Sequence, residues 1–176
     1  MATAPERPAP GSAMLHPITL AAVALLILND HVFKAQWPSW WTGKLSDVAG
    51  LAMFPLLLQG LWEHLGTRDR EDFEPSRAVL HGCVLLTGLC FSVIQVSELA
   101  GDGWRYGLGL LQWPVRAAWA FLTDTPWNPR VLPVAHVADA EDLLTLPALL
   151  VALKVGGQRC APRAVSRVGA PDSTPA

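Results

Sequence analysis

Residues 78–97 run for twenty positions without an Asp, Glu, Lys or Arg. That is the length an α-helix needs to cross the ~30 Å hydrocarbon core of a bilayer. Three further apolar segments fall short of it. The first, about 14–33, has an unbroken apolar core only from Ala21 to Leu28. The second, about 45–65, carries Pro55, a residue that membrane helices tolerate. The fourth, about 139–155, is uncharged over just eleven residues, Leu143 to Leu153. These three reach spanning length only by taking in ionisable residues near one end: Asp30 and His31, then Asp47, then Asp139, Glu141 and Asp142. An ionised group costs about 2.5–3.5 kcal/mol at the bilayer centre and less near the interface. Each acid must therefore lie at headgroup depth, find a partner or face a wet cavity.

Arg7 precedes the first segment as in a secretory signal. However, Asn29-Asp30-His31 follows directly, without an A-x-A-like cleavage site, so the segment reads as an uncleaved helix. Residues 1–13 and 157–176 are rich in Pro, Ala, Gly and Arg and read as disordered tails, leaving one domain over 14–156. Charged residues make up only 16% of the 176, and the formal net charge is −2. That balance opposes a disordered chain and gives no basic field for nucleic acid. Cys83 and Cys90 would lie ~10 Å apart on one helix, too far for a disulfide, and no paired Cys/His spacing suggests zinc.

Residues 104–122 differ from the four segments. At 100° per residue, Arg105, Gln112 and Arg116 share one stripe, with Leu110, Leu111, Phe121 and Leu122 away from it. Trp104, Trp113 and Trp119 suit a membrane–water boundary. The stretch reads as an amphipathic interfacial helix, bent or divided at Pro114, with a fifth crossing as the alternative. The expected fold is thus all-α: an integral membrane four-helix bundle with an additional interfacial helix.

Four crossings place both termini and the 66–77 loop on one side. That side carries Arg7, Arg68, Arg70, Arg77, Lys154, Arg159, Arg163 and Arg167, against Lys34, Lys44, Arg105, Arg116 and Arg130 on the other. The excess favours cytoplasmic termini. The Asp30/His31, Lys44/Asp47 and Asp139/Asp142 groups then collect at the outer face, with Gln95, Ser97 and Glu98 of the third helix. No comparable concentration is expected at the cytoplasmic ends.

Some of these residues have plain structural roles. Asp139 suits an N-cap with Asp142 in the first turn, and Asp47 suits a first turn capped by Thr42 or Ser46 beside Lys44. Asp30 instead lies near a helix C-terminus, where the helix dipole disfavours an anion, and Lys34 is its i,i+4 compensation. His31 projects about 100° away from Asp30. His136 falls in a loop and reads as solvated.

The runs Leu28-Asn29-Asp30-His31-Val32-Phe33-Lys34, Thr42-Gly43-Lys44-Leu45-Ser46-Asp47-Val48-Ala49-Gly50-Leu51 and Asp139-Ala140-Glu141-Asp142-Leu143-Leu144 resemble the LNDHxxK, TGKLSDxAGL and DxxDLLALP patterns of an uncharacterised family of small bacterial multi-pass membrane proteins. The resemblance extends from the first segment through the fourth. It implies a four-helix membrane bundle in a bacterial inner membrane, and no reaction. Where the family carries a Lys near the end of the third helix, this chain has Gln95.

Three functions fit these residues. The first is a structural or partner-binding membrane component held by an ionic lock of the acids with Lys34 and Lys44. The second is a membrane-embedded hydrolase or transferase. Asp30, His31, Asp47 and Asp142 would form its catalytic group and bind a divalent metal ion, while Lys34, Lys44, Arg105 and Arg116 hold an anionic lipid or lipid-linked phosphate. No HExxH, Ser/His/Asp set or Gly-rich phosphate loop narrows that chemistry. The third is an ion-coupled carrier. The bilayer is the one partner expected in every case.

Overall fold

The computed structural model describes residues 8–66 and 73–160, and these are all-α. A short 3₁₀ turn, Ser12–Leu15, leads into α1, Pro17–Gln36. Pro17 occupies the first turn, where its missing N–H costs nothing, and His16 Nδ1 accepts from the Ile18 amide at 3.2 Å. Within α1 the residues Asn29–Phe33 form a π-turn. The next helices are α2, Trp40–Gly66, α3, Arg77–Val96, and α4, Glu98–Thr123. A 3₁₀ helix, Ala140–Ala148, then runs into α5, Leu149–Arg159.

Among the described residues three helices are long and apolar enough to cross a membrane: Pro17–Gln36, Trp40–Gly66 and Arg77–Val96. Ser76 and Ser97 cap α3 and α4 at their starts. The fourth apolar segment departs from the uniform helix expected over 139–155. Its first nine residues are 3₁₀, and the α-helix continues to Arg159. Pro147 lies within the 3₁₀ stretch but does not by itself account for it, since Pro55 and Pro114 sit inside continuous α-helix. In α4 the structure also differs from expectation. The helix starts at Glu98 rather than 104, and continues through Pro114 without a division.

The first segment packs along α2, and the fourth packs along both α2 and α3. The apolar core consists of Leu56, Leu80, Val84, Ala152 and Val155, closed at one end by Ala13. Ala13 belongs to the stretch expected to be a disordered tail, yet it is fully buried, and residues 8–13 pack against α2 at Gly60. The rest of that tail, residues 1–7, and residues 161–176 lie outside the described residues. Outside the core the pattern of a water-soluble protein is inverted. Leu65, Leu85 and Leu89 are largely exposed, while Thr19, Asn29, Gln59 and Glu63 are buried.

Residues 127–137 form an extended strap antiparallel to α4. Trp113 Nε1 donates to Pro129 O at 3.0 Å, and Arg105 and Val134 exchange bonds, Val134 N to Arg105 O at 3.1 Å and Arg105 Nε to Val134 O at 3.3 Å. His136 packs on Gly101 and lies 3.2 Å from Ile94 O, so it is not the solvated residue expected. The strap therefore follows the i,i+4 row Gly101, Arg105, Gly109, Trp113. At Gly109 a Cβ would overlap the Leu132 carbonyl oxygen, a backbone atom. Helix propensity alone would make Gly109→Ala stabilising by about 1 kcal/mol. The expected result is the reverse: the strap detaches, and limited proteolysis cuts 125–138 faster than in Gly107→Ala, whose added Cβ meets nothing within 4 Å.

Candidate functional site

The three motif runs meet at one end of the bundle. The π-turn places Asn29 inward, fully buried, where its Nδ2 donates to Thr42 O and to Ser46 Oγ, both at 2.7 Å. Ser46 Oγ in turn donates to Asp30 Oδ1 at 2.7 Å. Asp30 also pairs with Lys34 at 2.7 Å, the i,i+4 compensation expected of a carboxylate at a helix C-terminus. A π-turn inserts one extra residue per turn and so re-aims side chains; here it brings an amide and a carboxylate of α1 against one hydroxyl of α2.

Lys44 makes the long-range connection. It bonds Asp142 directly and lies 3.7 Å from Asp139. The ammonium sits 5.2 Å from the centre of the Trp40 ring, and Trp40 Nε1 donates to Glu141 Oε2 at 3.1 Å. Asp47 interacts electrostatically with both Asp142 and Lys44. Asp139 caps the 3₁₀ helix by accepting from Glu141 N at 2.9 Å, and its own amide donates to Gln95 Oε1 at 3.2 Å. All four bundle segments thus contribute to one polar clasp. Trp37, Trp40 and Trp41 stand exposed around it, with Phe33 packed 6.3 Å and 6.4 Å from two of them.

Several expected positions change. Because α2 begins at Trp40 rather than at 45, Asp47 is two turns inside the helix, not in its first turn. Thr42 supports that earlier start by accepting from Ser39 N and donating to Ser39 O. The metal-ligand set Asp30, His31, Asp47 and Asp142 does not assemble. His31 Nδ1 turns back to Ile27 O at 3.0 Å, Asp30 faces Ser46 and Lys34, and a cation already sits on Asp142. Among the described residues no three His, Cys, Asp or Glu side chains group as metal ligands would. Arg105 is committed to Asp102 and the strap, and Arg116 stands exposed beyond Pro114 on α4. Neither joins Lys34 and Lys44 around one anion: Arg105 bonds Asp102 and Val134 instead, and Arg116 lies on the exposed surface of α4.

No family model, no curated protein and no solved structure matches this chain.

The opposite end of the bundle holds a second polar knot, where no concentration of polar groups was expected. Glu63 is 5% exposed and Gln59 fully buried. Gln59 Nε2 donates to Glu63 Oε1 at 2.9 Å, Gly11 N donates to Glu63 Oε2 at 2.8 Å, and Arg159 Nη1 lies 3.7 Å from that oxygen. Arg159 Nη2 donates to Ala9 O at 2.9 Å, and Arg77 Nε to Cys160 O at 3.3 Å. Gly11 turns here at φ 72°, and Gly60 admits it so closely that a Cβ on Gly60 would come within 3.2 Å of Gly11 Cα. The knot ties residues 9–11 and Arg159 to α2.

Asn29 is the clasp residue that charge-based reasoning missed, although it stood in the first motif run. Removing it leaves the Thr42 carbonyl and the Ser46 hydroxyl short of a donor. Asn29→Ala should cost about 1–2 kcal/mol, in the range for interhelical bonds in membranes and unpaired buried groups, read by reversible unfolding in mixed micelles. An unchanged midpoint would remove Asn29 from the clasp. At the other end, Glu63→Ala should speed hydrogen exchange at residues 8–16 while leaving residues 40–47 unaffected.

Proposed function

We propose that this chain is a polytopic membrane protein of four crossings, a structural or partner-binding component of a bacterial inner membrane with both termini in the cytoplasm. Its motif residues serve as an ionic clasp that fixes the bundle. The observation that carries the reading is the spacing of the two polar knots along α2. Lys44 and Glu63 are nineteen residues apart, about 28 Å of helix rise, against a hydrocarbon core of ~30 Å. Between them α2 turns Leu51, Ala52, Pro55 and Leu56 inward. The charged groups thus fall at the two depths where a bilayer accepts them.

The fourth segment fits the same slab. A 3₁₀ helix rises ~2.0 Å per residue, so Ala140–Ala148 and Leu149–Arg159 together rise about 34 Å. The tighter helix lengthens a segment whose uncharged part looked too short. Asp142 and Arg159 at its ends join the two knots of α2. The preponderance of Lys and Arg on the side of the termini supports the orientation, and the resemblance of the motif runs supports the bacterial setting. The exposed tryptophans around the clasp suit an outer interfacial belt.

The lock reading is favoured over a metal-dependent hydrolase because Lys44 occupies the acid cluster at the point where a divalent ion would sit. A double-mutant cycle tests it. Lys44→Met and Asp142→Leu should each lower the unfolding midpoint, and the double variant should recover part of the loss, since an apolar pair replaces an ion pair better than one uncompensated charge does. Strict additivity defeats the lock. The topology is tested by single cysteines at Ser39 and Pro75 in spheroplasts: an impermeant maleimide should reach Ser39→Cys and spare Pro75→Cys. Equal labelling of the two would defeat the crossing of α2.

A further inference from the structure

The helix α4 is amphipathic in an inverted sense. Glu98, Asp102, Arg105, Gln112 and Arg116 fall within an arc of about 80° at 100° per residue. That arc overlaps the row the strap covers, where Arg105 is bound to Val134 and Asp102. The opposite arc of about 160° carries no charge. On it Leu99, Tyr106, Leu110, Leu111, Phe121 and Leu122 are each more than half exposed, Leu99 at 84% and Phe121 at 88%. Six such side chains on one face exceed the few hundred Å² of apolar patch that a soluble monomer tolerates.

We propose that this outward face is a lipid-docking surface: α4 lies along the membrane at the clasp end, covered by the acyl chains of a single leaflet, and the strap lines its polar side. The inference rests on the membrane reading of the bundle. Continuity argues for lipid as the occupant. The helix begins two residues after α3 ends, and α3 presents Leu85 and Leu89 at 73% and 66% exposure on its own outer surface. The tryptophans that ring the clasp stand at the same end, so α4 starts at interfacial depth.

Two facts favour lying over crossing. The polar stripe includes Arg105, Gln112 and Arg116 in the body of the helix, each costly at the bilayer centre. The strap must also return to Asp139, which is tied to Gln95 at the end of α3. If α4 crossed, extended backbone would cross back through hydrocarbon with carbonyls and amides unpaired, which lipid-exposed segments do not do. An excursion that leaves and rejoins the same end of the bundle needs no second crossing.

Spin labels test the proposal in the full chain, in vesicles of phosphatidylethanolamine and phosphatidylglycerol. Labels are placed singly at Leu99, Leu110 and Phe121, with Leu85 and Leu89 of α3 as references, in a background with Cys83, Cys90 and Cys160 replaced by Ser. The expected result is preferential collision with oxygen over a water-soluble nickel complex at all five positions, and one common shallow depth for the three α4 labels. Depth increasing steadily from Leu99 to Phe121 would mean a crossing and overturn the proposal. Labels on α4 shielded from both reagents would mean that a second copy or another protein covers the face, and would overturn it too. Nickel access on α4 with lipid contact at Leu85 and Leu89 defeats this inference alone; nickel access at Leu85 and Leu89 as well defeats the membrane reading beneath it. Should the cysteine-free background lose helix content, a lipid-soluble diazirine on the unmodified chain gives the same decision: label recovered at Leu110 and Phe121 supports the docking surface, and its absence there beside label on α3 overturns it.

Discussion

Lys44 bridges parts of the chain 98 residues apart, and the placement of the fourth segment follows from it. Its ammonium is the cation between Asp142 and Asp139, both at the head of that segment. Removing a Lys and an Asp from water is costly, and attraction offsets the cost only where further contacts complete the site. Here Trp40 lies against the cation, Gln95 receives the Asp139 amide, and Asp139 caps the turn that carries Asp142. With Asp142 held at one end, the 3₁₀ and α-helical stretches bring Arg159 alongside Glu63 at the other. An ion pair at one end thus sets the register in which a second polar knot can close.

Much of the clasp was legible because its chemistry is local. Asp30 at a helix C-terminus demands a cation, and Lys34 stands one turn away; Asp139 followed by Glu141 and Asp142 marks a helix start. The convergence of the three motif runs followed from hydrophobic lengths alone, since each short apolar segment pushed its acids toward the same face. The partner of Lys44 was not legible. Asp47 is its near neighbour in sequence, but the direct bond goes to Asp142 of a distant segment, whose approach depends on the packing of that segment against α2.

The knot at Glu63 shows the limit more sharply. Gln59 and Glu63, four apart near the end of an apolar run, look like ordinary residues emerging toward headgroups. Their burial depends on Gly11 and Ala9 folding back across Gly60 and on Arg159 arriving from the other terminus. Pro- and Gly-rich composition, which argues for a free tail, here supplies a positive-φ turn at Gly11 that lets the tail pack. The 3₁₀ stretch was similarly hidden: Pro147 lies in it, but Pro55 and Pro114 lie in α-helix, so a proline does not announce the change.

The buried hydroxyls and small side chains explain why specificity resides in the two knots. One buried threonine occurs on each bundle segment: Thr19, Thr42, Thr87 and Thr145. Each hydroxyl donates to a carbonyl of its own strand of chain, at Ala13, Ser39, Cys83 and Asp142 respectively. These side chains are small enough to let helices approach, and in a lipid solvent close packing substitutes for hydrophobic burial as the attractive force between helices. Being satisfied locally, they make no demand on which neighbour lies opposite. Ala49, Ala52, Ala152 and Gly156 line the same interior beside Leu56, Leu80, Val84 and Val155. A core of this kind holds helices together but discriminates poorly between rotations and slips. Discrimination then falls to groups that lose a partner when the register is wrong: Asn29, Lys44 and Asp142 at one end, Gln59, Glu63 and Arg159 at the other. Their placement about one hydrocarbon thickness apart is what the proposed membrane setting requires, since charge there falls at the depths a bilayer accepts while it also selects a single arrangement of the helices.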